Sequence, residues 1–343
     1  MAKQNQDEGQ TAKLTINDIA SMAGVSKKTV SRVINRSPLL NRETRDKVEA
    51  IIRETGYVPN PQARALALGR NFLIGLVYDN PNAQMILSMQ RGVLEALHGT
   101  EFELVIRQVM DDIRGFVSRQ RLFGVVILPP MSENDALARM LDEEGCRYVR
   151  MGSAVLDDPE HMVASNDREA VAEAVRYLIA QGHRRIGLIA GPHGFRSAKE
   201  RRDGFELALA EAGISLPRSL IADGQYTFES GQSASESLFD LSPRPTAIFA
   251  SNDEMAAGVL YAARQRGIAV PEELSIIGFD DTPLTTRVWP PLSTVRWPIV
   301  AMGRAAALKL IGTAIGEGSE VNEPSMFSST LIRRASVAPP ASS

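Results

Sequence analysis

The sequence predicts an α/β protein in two parts. A three-helix, helix-turn-helix head with a hinge helix comes first, followed by a core of two doubly wound parallel-sheet lobes. Three observations carry this. Residues 14–56 show helical periodicity broken by glycine, and beyond Arg70 short apolar runs alternate with amphipathic stretches. Those runs number nine or ten, more than one sheet of usual size holds, so two similar lobes are the economical solution.

The totals agree. The chain has 343 residues, enough for two or three domains, and 44% of them are apolar, which argues against wholesale disorder. The lone cysteine, Cys146, allows no internal disulfide and suits a reducing compartment. Residues 1–13 carry no apolar stretch resembling a secretory signal and read as a disordered tail. No run is long and apolar enough to cross a membrane, so a cytoplasmic location is expected. Charge is uneven: residues 1–70 hold 12 Lys/Arg against 7 Asp/Glu, and the rest hold 26 against 34. A basic head on an acidic body points to a polyanion at one end.

Thr15 opens the first helix as an N-cap, with Asp18 three residues on. Ile16, Ile19, Ala20 and Ala23 form one apolar stripe, and Gly24 supplies a left-handed turn. Ser26 caps the second helix, whose Val30, Val33 and Ile34 share a face. Lys28, Arg32 and Asn35 lie on the opposite side, flanked by Thr29 and Ser31. A third helix runs from near Asn41 to Gly56 and buries Val48, Ile51, Ile52 and Thr55. Two helices joined by a tight glycine turn and braced by a third form a helix-turn-helix domain over residues 14–59. Its second helix presents donors of a size to enter the DNA major groove. Pro59 and Pro61 then stop the third helix. The short "QARALAL" that follows, within a linker of residues 60–70, is too short to be stable alone and should order only with a partner.

In the core, "FLIGLVYD", "FELVIRQV", "GVVILPP", "RYVRMG", "MVAS", "RIGLIAG", "LIADG", "TAIFASND" and "LSIIGFDD" read as strands, with helical stretches between most of them. Ligands of such folds sit at the carboxyl ends of the strands. Several strands end in polar groups: Asp79-Asn80, Arg150, Asn252-Asp253 and Asp280-Asp281. Together they suggest a polar pocket, although Asp253 and Asp281 read individually as helix caps or turn formers. His98, His161, His183 and His193 show no metal spacing, and neither G-x-S-x-G nor a phosphate loop occurs. No enzyme, metal or cofactor is therefore expected, and His183 reads as a turn residue before a strand.

The stretch "LTINDIASMAGVSKKTVSRVINRS…TRDKVEAIIRETGYVPNPQARALALG" resembles the head of the lactose-repressor (LacI/GalR) family of bacterial transcription factors. "GHRRIGLIAGP", "ASNDEMAAGVL", "LSIIGFDDTPL" and "WPPLSTVRWPI" resemble blocks of that family's core, which is akin to periplasmic sugar-binding proteins. The resemblance runs from about Leu14 to about Ala338. It implies a transcriptional regulator, expected to be a repressor, that binds palindromic operator DNA as a homodimer under control of a small effector, a sugar or sugar acid. It also implies two core lobes, one of about residues 71–165 and 295–324, the other of about 166–294 and 325–343. Ser26, Lys27, Lys28, Thr29, Ser31, Arg32 and Asn35 become the base-reading set. Thr15, Asn41, Thr44 and Tyr57 match phosphate-contacting positions, and Leu66 matches a leucine that wedges into the minor groove. For the effector, Arg201, Asn252, Asp280 and Tyr226 match binding positions, joined by Asp79, Met85 and Ser197.

Three departures stand out. Arg150 occupies a strand end where an aspartate is frequent. It either forms a two-guanidinium seat for an anion with Arg201 or pairs with Asp79 or Asp280 around a neutral sugar. Residues 105–124 are short, which puts the second helix of the first lobe in doubt. The tail "RRASVAPPASS" has no leucine heptad, so a dimer rather than a tetramer is expected. The rival reading is a periplasmic-type sugar-binding protein without a DNA role.

Overall fold

The structure, a computed structural model, describes residues 14–34, 39–58, 71–79, 82–108, 112–315 and 323–341. The chain divides into two compact units, Met1–Asn71 and Phe72–Ser343.

In the first unit, helix α1 (Ile16–Ala23) starts at Thr15, whose N–H and Oγ–H both donate to Asp18 Oδ2 at 2.7 Å. The hydroxyl bond above all holds the Asp18 carboxyl below its ordinary pKa. Gly24 ends the helix at φ 63°, and Val25 N–H reaches back to Ala20 O at 3.0 Å. That backward bond satisfies an orphan carbonyl and needs a left-handed residue. Helix α2 (Lys27–Ile34) is capped by Ser26 Oγ, which accepts from Thr29 N–H at 3.1 Å. Helix α3 (Arg42–Thr55) is capped by Asn41, whose Oδ1 accepts from Thr44 N–H at 2.8 Å, and stops at Gly56. Ile19, Ala23, Val30 and Val48 have no exposed surface, with Ala20 and Val33 nearly as buried. Ile51, Ile52 and Tyr57 pack at the margin of this core. A core this small leaves little stability to spare.

The second unit holds two six-stranded sheets. The chain first lays down β1 (Leu73–Tyr78), α4 (Ala83–Leu97), β2 (Glu103–Gln108), α5 (Ile113–Gln120), β3 (Gly124–Ile127), α6 (Asp135–Glu143), β4 (Arg147–Gly152) and β5 (Met162–Ser165). It then builds α7 (Asp167–Ala180), β6 (Ile186–Ala190), α8 (Arg196–Glu211), β7 (Ile221–Asp223), α9 (Phe228–Phe239), β8 (Ala247–Ala250), α10 (Asp253–Gln265), β9 (Ser275–Asp280) and β10 (Ser293–Arg296). Helix α11 (Ile299–Ile315) and strand β11 (Met326–Phe327) return to the first sheet, and β12 (Thr330–Ile332) to the second. The orders are β11-β5-β4-β3-β1-β2 and β12-β10-β9-β8-β6-β7, parallel except that β12 runs antiparallel to β10. Each reverses its order beside its first strand, as in doubly wound folds. Residues buried on both faces explain why these strands are nearly continuous apolar runs.

The chain crosses between lobes after Ser165, Arg296 and Phe327. Two boundaries differ from expectation. Met326 and Phe327 pair with Ala164 and Ser165 in the first lobe, and residues up to Arg296 pair with β9 in the second. Strands of two and four residues carry too little pattern to assign from sequence. The short segment before Gly124 still forms a helix, α5, capped by Asp112 and burying Phe116 and Val117. Helices α4 and α11 touch backbone to backbone. A Cβ at Gly92 would lie 2.1 Å from Val300 O, so only glycine fits there.

His183 does precede a strand, but it is more than a turn residue. Only 1% exposed, it bridges Thr246 Oγ1 and Ala338 O, each at 2.9 Å, and so ties the C-terminal stretch to the second lobe. Burial lowers its pKa. Among the described residues, no helix is long and apolar enough to cross a membrane.

Candidate nucleic-acid interface and ligand cleft

In the head, α2 turns Val30 and Val33 into the core, which leaves Lys27, Lys28 and Arg32 exposed and Thr29 and Ser31 half-buried. Ser26 Oγ and Thr29 Oγ1 lie 2.9 Å apart, so one hydroxyl orients the other. These side chains offer cationic and hydroxyl donors to phosphates and base edges. Of the expected flanking contacts, the oxygens of Thr15 and Asn41 serve helix caps. Thr44 and Tyr57 are half-buried, and burial raises the Tyr57 phenol pKa. Asn35 and Leu66 lie outside the described residues, as does the hinge at residues 60–70.

In the core, the structure brings Ser197, Arg201, Tyr226, Asn252 and Asp280 together at the carboxyl ends of the second sheet. Arg201, on α8, is 3% exposed. Its Nε donates to Asp167 Oδ2 at 2.8 Å and Nη1 to Ser251 O at 2.6 Å, while Nη1 stands 3.9 Å from Asp280 Oδ1. The guanidinium lies 3.6 Å from the Phe279 ring centre, a stacked cation. Ser197, one helical turn earlier, places Oγ 3.1 Å from the Tyr226 hydroxyl. Tyr226 holds φ 61°, and its ring lies where a Cβ on Gly191 would be only 2.5 Å away. Glycine at that strand end is what admits the ring. Asn252 is fully buried, with its amide engaged at both ends. Nδ2 donates to Tyr226 O and Oδ1 accepts from Met255 N–H, each at 2.9 Å. Asp280 has φ 114°, and burial, reinforced by the charges of Asp253 and Asp167, raises its pKa well above the carboxylate range despite Arg201.

Met85 is buried in α4 and lines, with Gln84, Asp280 and Trp297, an open cavity of about 500 Å³. Asn82 Nδ2 reaches Asp280 Oδ2 from the first lobe at 3.5 Å. Asp79 is exposed at the end of β1.

Arg150 requires a correction. Its partners are neither Asp79 nor Asp280. The side chain is buried, donating from Nη2 to Asp135 at 2.8 Å, from Nη1 to Asp157 at 3.2 Å and from Nε to Ser132 O at 2.6 Å. Asp135 and Asp157 come from its own lobe, on segments whose approach to β4 no local pattern announces. Asp253 is also more than a cap, since Asn252 does the capping. Asp253 is fully buried, accepting from Thr294 Oγ1 at 2.5 Å and Thr282 N–H at 2.7 Å, and burial pushes its pKa up to about 7. Asp281 does sit in a turn, at φ 59°, where it also pairs with Arg296 and Arg334.

Residues 15–60 match the profile of bacterial regulatory proteins of the lacI family, and residues 175–337 that of a periplasmic binding protein-like domain. A probable HTH-type transcriptional repressor ExuR from Bacillus subtilis (strain 168) is 33% identical over 87% of this chain and 91% of its own length. This chain belongs to the LacI family. As a LacI-family chain it is a DNA-binding transcriptional regulator, and its relatives are regulators rather than enzymes. The match at residues 15–60 sets aside a sugar-binding protein without a DNA role. Two solved structures share the fold. A CelR–cellobiose complex is 32% identical at TM-score 0.69, covering 94% of this chain and 99% of that one. A lac repressor dimer bound to operator and the anti-inducer ONPF is 26% identical at TM-score 0.80, covering 95% and 99%.

Sequence reasoning missed Asp167, the buried partner of Arg201. A signal was present. "ASNDREA" at 164–170 and "ASNDEMA" at 250–256 match at five of seven positions. In both, the aspartate opens a helix at 0% exposure beneath the cleft. It also missed Glu133, whose two carboxylate oxygens each accept from Arg196 N–H at 3.1 Å across the lobes. A contact between residues 63 apart has no sequence signature.

Proposed function

We propose that two copies of this LacI-family chain bind a two-fold symmetric operator as a repressor, and that a sugar-type effector between the core lobes controls that binding. The convergence of Ser197, Arg201, Tyr226 and Asp280 at strand ends opposite the first lobe carries this reading. These side chains and the neighbouring aromatic rings suit a polyhydroxylated ring. The cellobiose held by the CelR relative supports the same class. Apolar side chains on the outer surface support the dimer. Leu87 and Leu94 on α4 are 57% and 47% exposed, and Trp289 and Tyr261 of the second lobe are 84% and 44% exposed. Leu87 and Leu94 lie seven residues apart on one face of α4, a spacing that suits a seam with a second copy. An effector that prefers one closure state shifts operator affinity, and operator must shift effector affinity by the same factor.

The test is binding of purified chain to genomic fragments, followed by metabolite titration. Arg32→Ala should weaken operator binding by about 1–3 kcal/mol with effector response intact. Equal loss of both counts against separate modules. Leu94→Asp should yield monomers in light scattering and weaken operator binding with them. A Leu94→Asp chain that stays dimeric removes α4 from the interface.

A further inference from the structure

We propose that the effector of this chain is uncharged, and that carboxylated and phosphorylated sugars are rejected by the cleft. This rests on the effector reading above and concerns the chemistry of that site. An anionic ligand needs a cation with capacity to spare, and the arginines at this site are already matched. Arg201 is held by Asp167 at 2.8 Å with Asp280 at 3.9 Å. Arg150 is held by Asp135 at 2.8 Å and Asp157 at 3.2 Å. Both guanidiniums are 4% exposed, so neither swings out to meet a ligand. Arg296 and Arg304, which line the open cavity and are about half exposed, are paired as well, with Asp281 at 2.6 Å and Glu323 at 3.6 Å. The first turn of α8 would also attract an anion. Its leading amide, Arg196 N–H, is already taken by both oxygens of Glu133, and the Arg196 side chain pairs with Glu200 at 3.4 Å. An incoming carboxylate therefore meets Glu133 in the place it would need.

The unfilled capacity is neutral. The hydroxyls of Ser197 and Tyr226 lie 3.1 Å apart at the strand ends, and each has hydrogen-bonding capacity beyond the bond they share. A sugar hydroxyl both donates and accepts, so it satisfies such groups without bringing charge into a buried site.

The experiment is calorimetric titration of the full chain with glucose and glucuronate, galactose and galacturonate, cellobiose and cellobionate, and inorganic phosphate. No saturable response to any anion is expected. The double variant Glu133→Gln/Asp135→Asn removes two carboxylates from accessible positions and leaves both arginines. It should gain affinity for at least one of these anions by roughly tenfold or more. No gain would overturn the proposal, because charge would then not be what rejects anions. Saturable anion binding by the unaltered chain would overturn it as well. Ser197→Trp, at a half-buried position in the cleft, separates two failures. If it abolishes that anion binding, the cleft reading stands and only the charge argument falls. If the binding survives, the cleft reading falls too.

Discussion

In the second lobe, Ser197, Arg201, Tyr226 and Asp280 converge at the strand ends. In the first, the equivalent edge offers Met85, an exposed Asp79 and an Arg150 enclosed by Asp135 and Asp157. The sheets share one strand order, so topology does not cause this difference. It arises from where each arginine's counter-ions lie. Asp167, under Arg201, has a side chain with 0% exposure and is fixed at the start of a helix. Asp135 and Asp157, around Arg150, are 69% and 21% exposed. The second lobe therefore holds a charged network with no retreat to solvent. The first holds a cation whose partners can regain water. From the first lobe, Asn82 and Glu133 reach across to Asp280 and Arg196 of the second.

The sharpest way to break this comparison is to remove each arginine. Arg201→Ala leaves Asp167 and Ser251 O buried without their donor. Losing one partner of a buried ion pair costs about 3–5 kcal/mol. A fall in thermal midpoint with loss of any effector response is the expected result. A variant as stable as the parent would show that the network is not what orders the lobe. Arg150→Met should cost less, about 1–3 kcal/mol, because its carboxylates rehydrate. Denaturant melts of the two variants side by side test the ranking, and reversal would sink the account of unequal exposure.

A smaller effect concerns pH. The Asp253 carboxyl has its pKa raised to about 7 by burial, against about 4 in an unfolded chain. The folded core then holds a proton that the unfolded chain releases. This contribution to stability is full below about pH 4 and disappears as pH rises through about 7. Asp253→Asn should flatten that decline when melts are run between these limits. His183 acts in the opposite direction: its lowered pKa makes stability fall as pH drops below about 6.5. Comparing the slope of the Asp253 variant with that of the parent separates the two. An unchanged slope removes Asp253 as a titrating group in this window.

How much was legible differed by region. The head was nearly complete in the sequence, because its caps and turns are local. Thr15 with Asp18, Gly24, Ser26, Asn41 and Gly56 each act within three or four residues of themselves. Most of the nine strands were legible because burial on both faces leaves an apolar run, whereas β2, at a sheet edge, is largely exposed. The cleft was legible as a set of strand ends, since polar residues there interrupt those runs. Its internal pairing was not. Arg150 with Asp157 spans only seven residues, yet the loop that returns Asp157 has no periodicity to read.

By itself, then, the sequence determined the helical head, the two alternating lobes and the polar residues at their strand ends. Local hydrogen bonds and apolar periodicity act at fixed short spacings, and those spacings are written in the chain. Only the tertiary structure decided which carboxylate faces which arginine, that Asp253 is buried with its pKa raised, and that Glu133 crosses between lobes. Those outcomes depend on distance and desolvation between segments that only the fold brings together, whether seven residues apart or 63, and no local pattern encodes either.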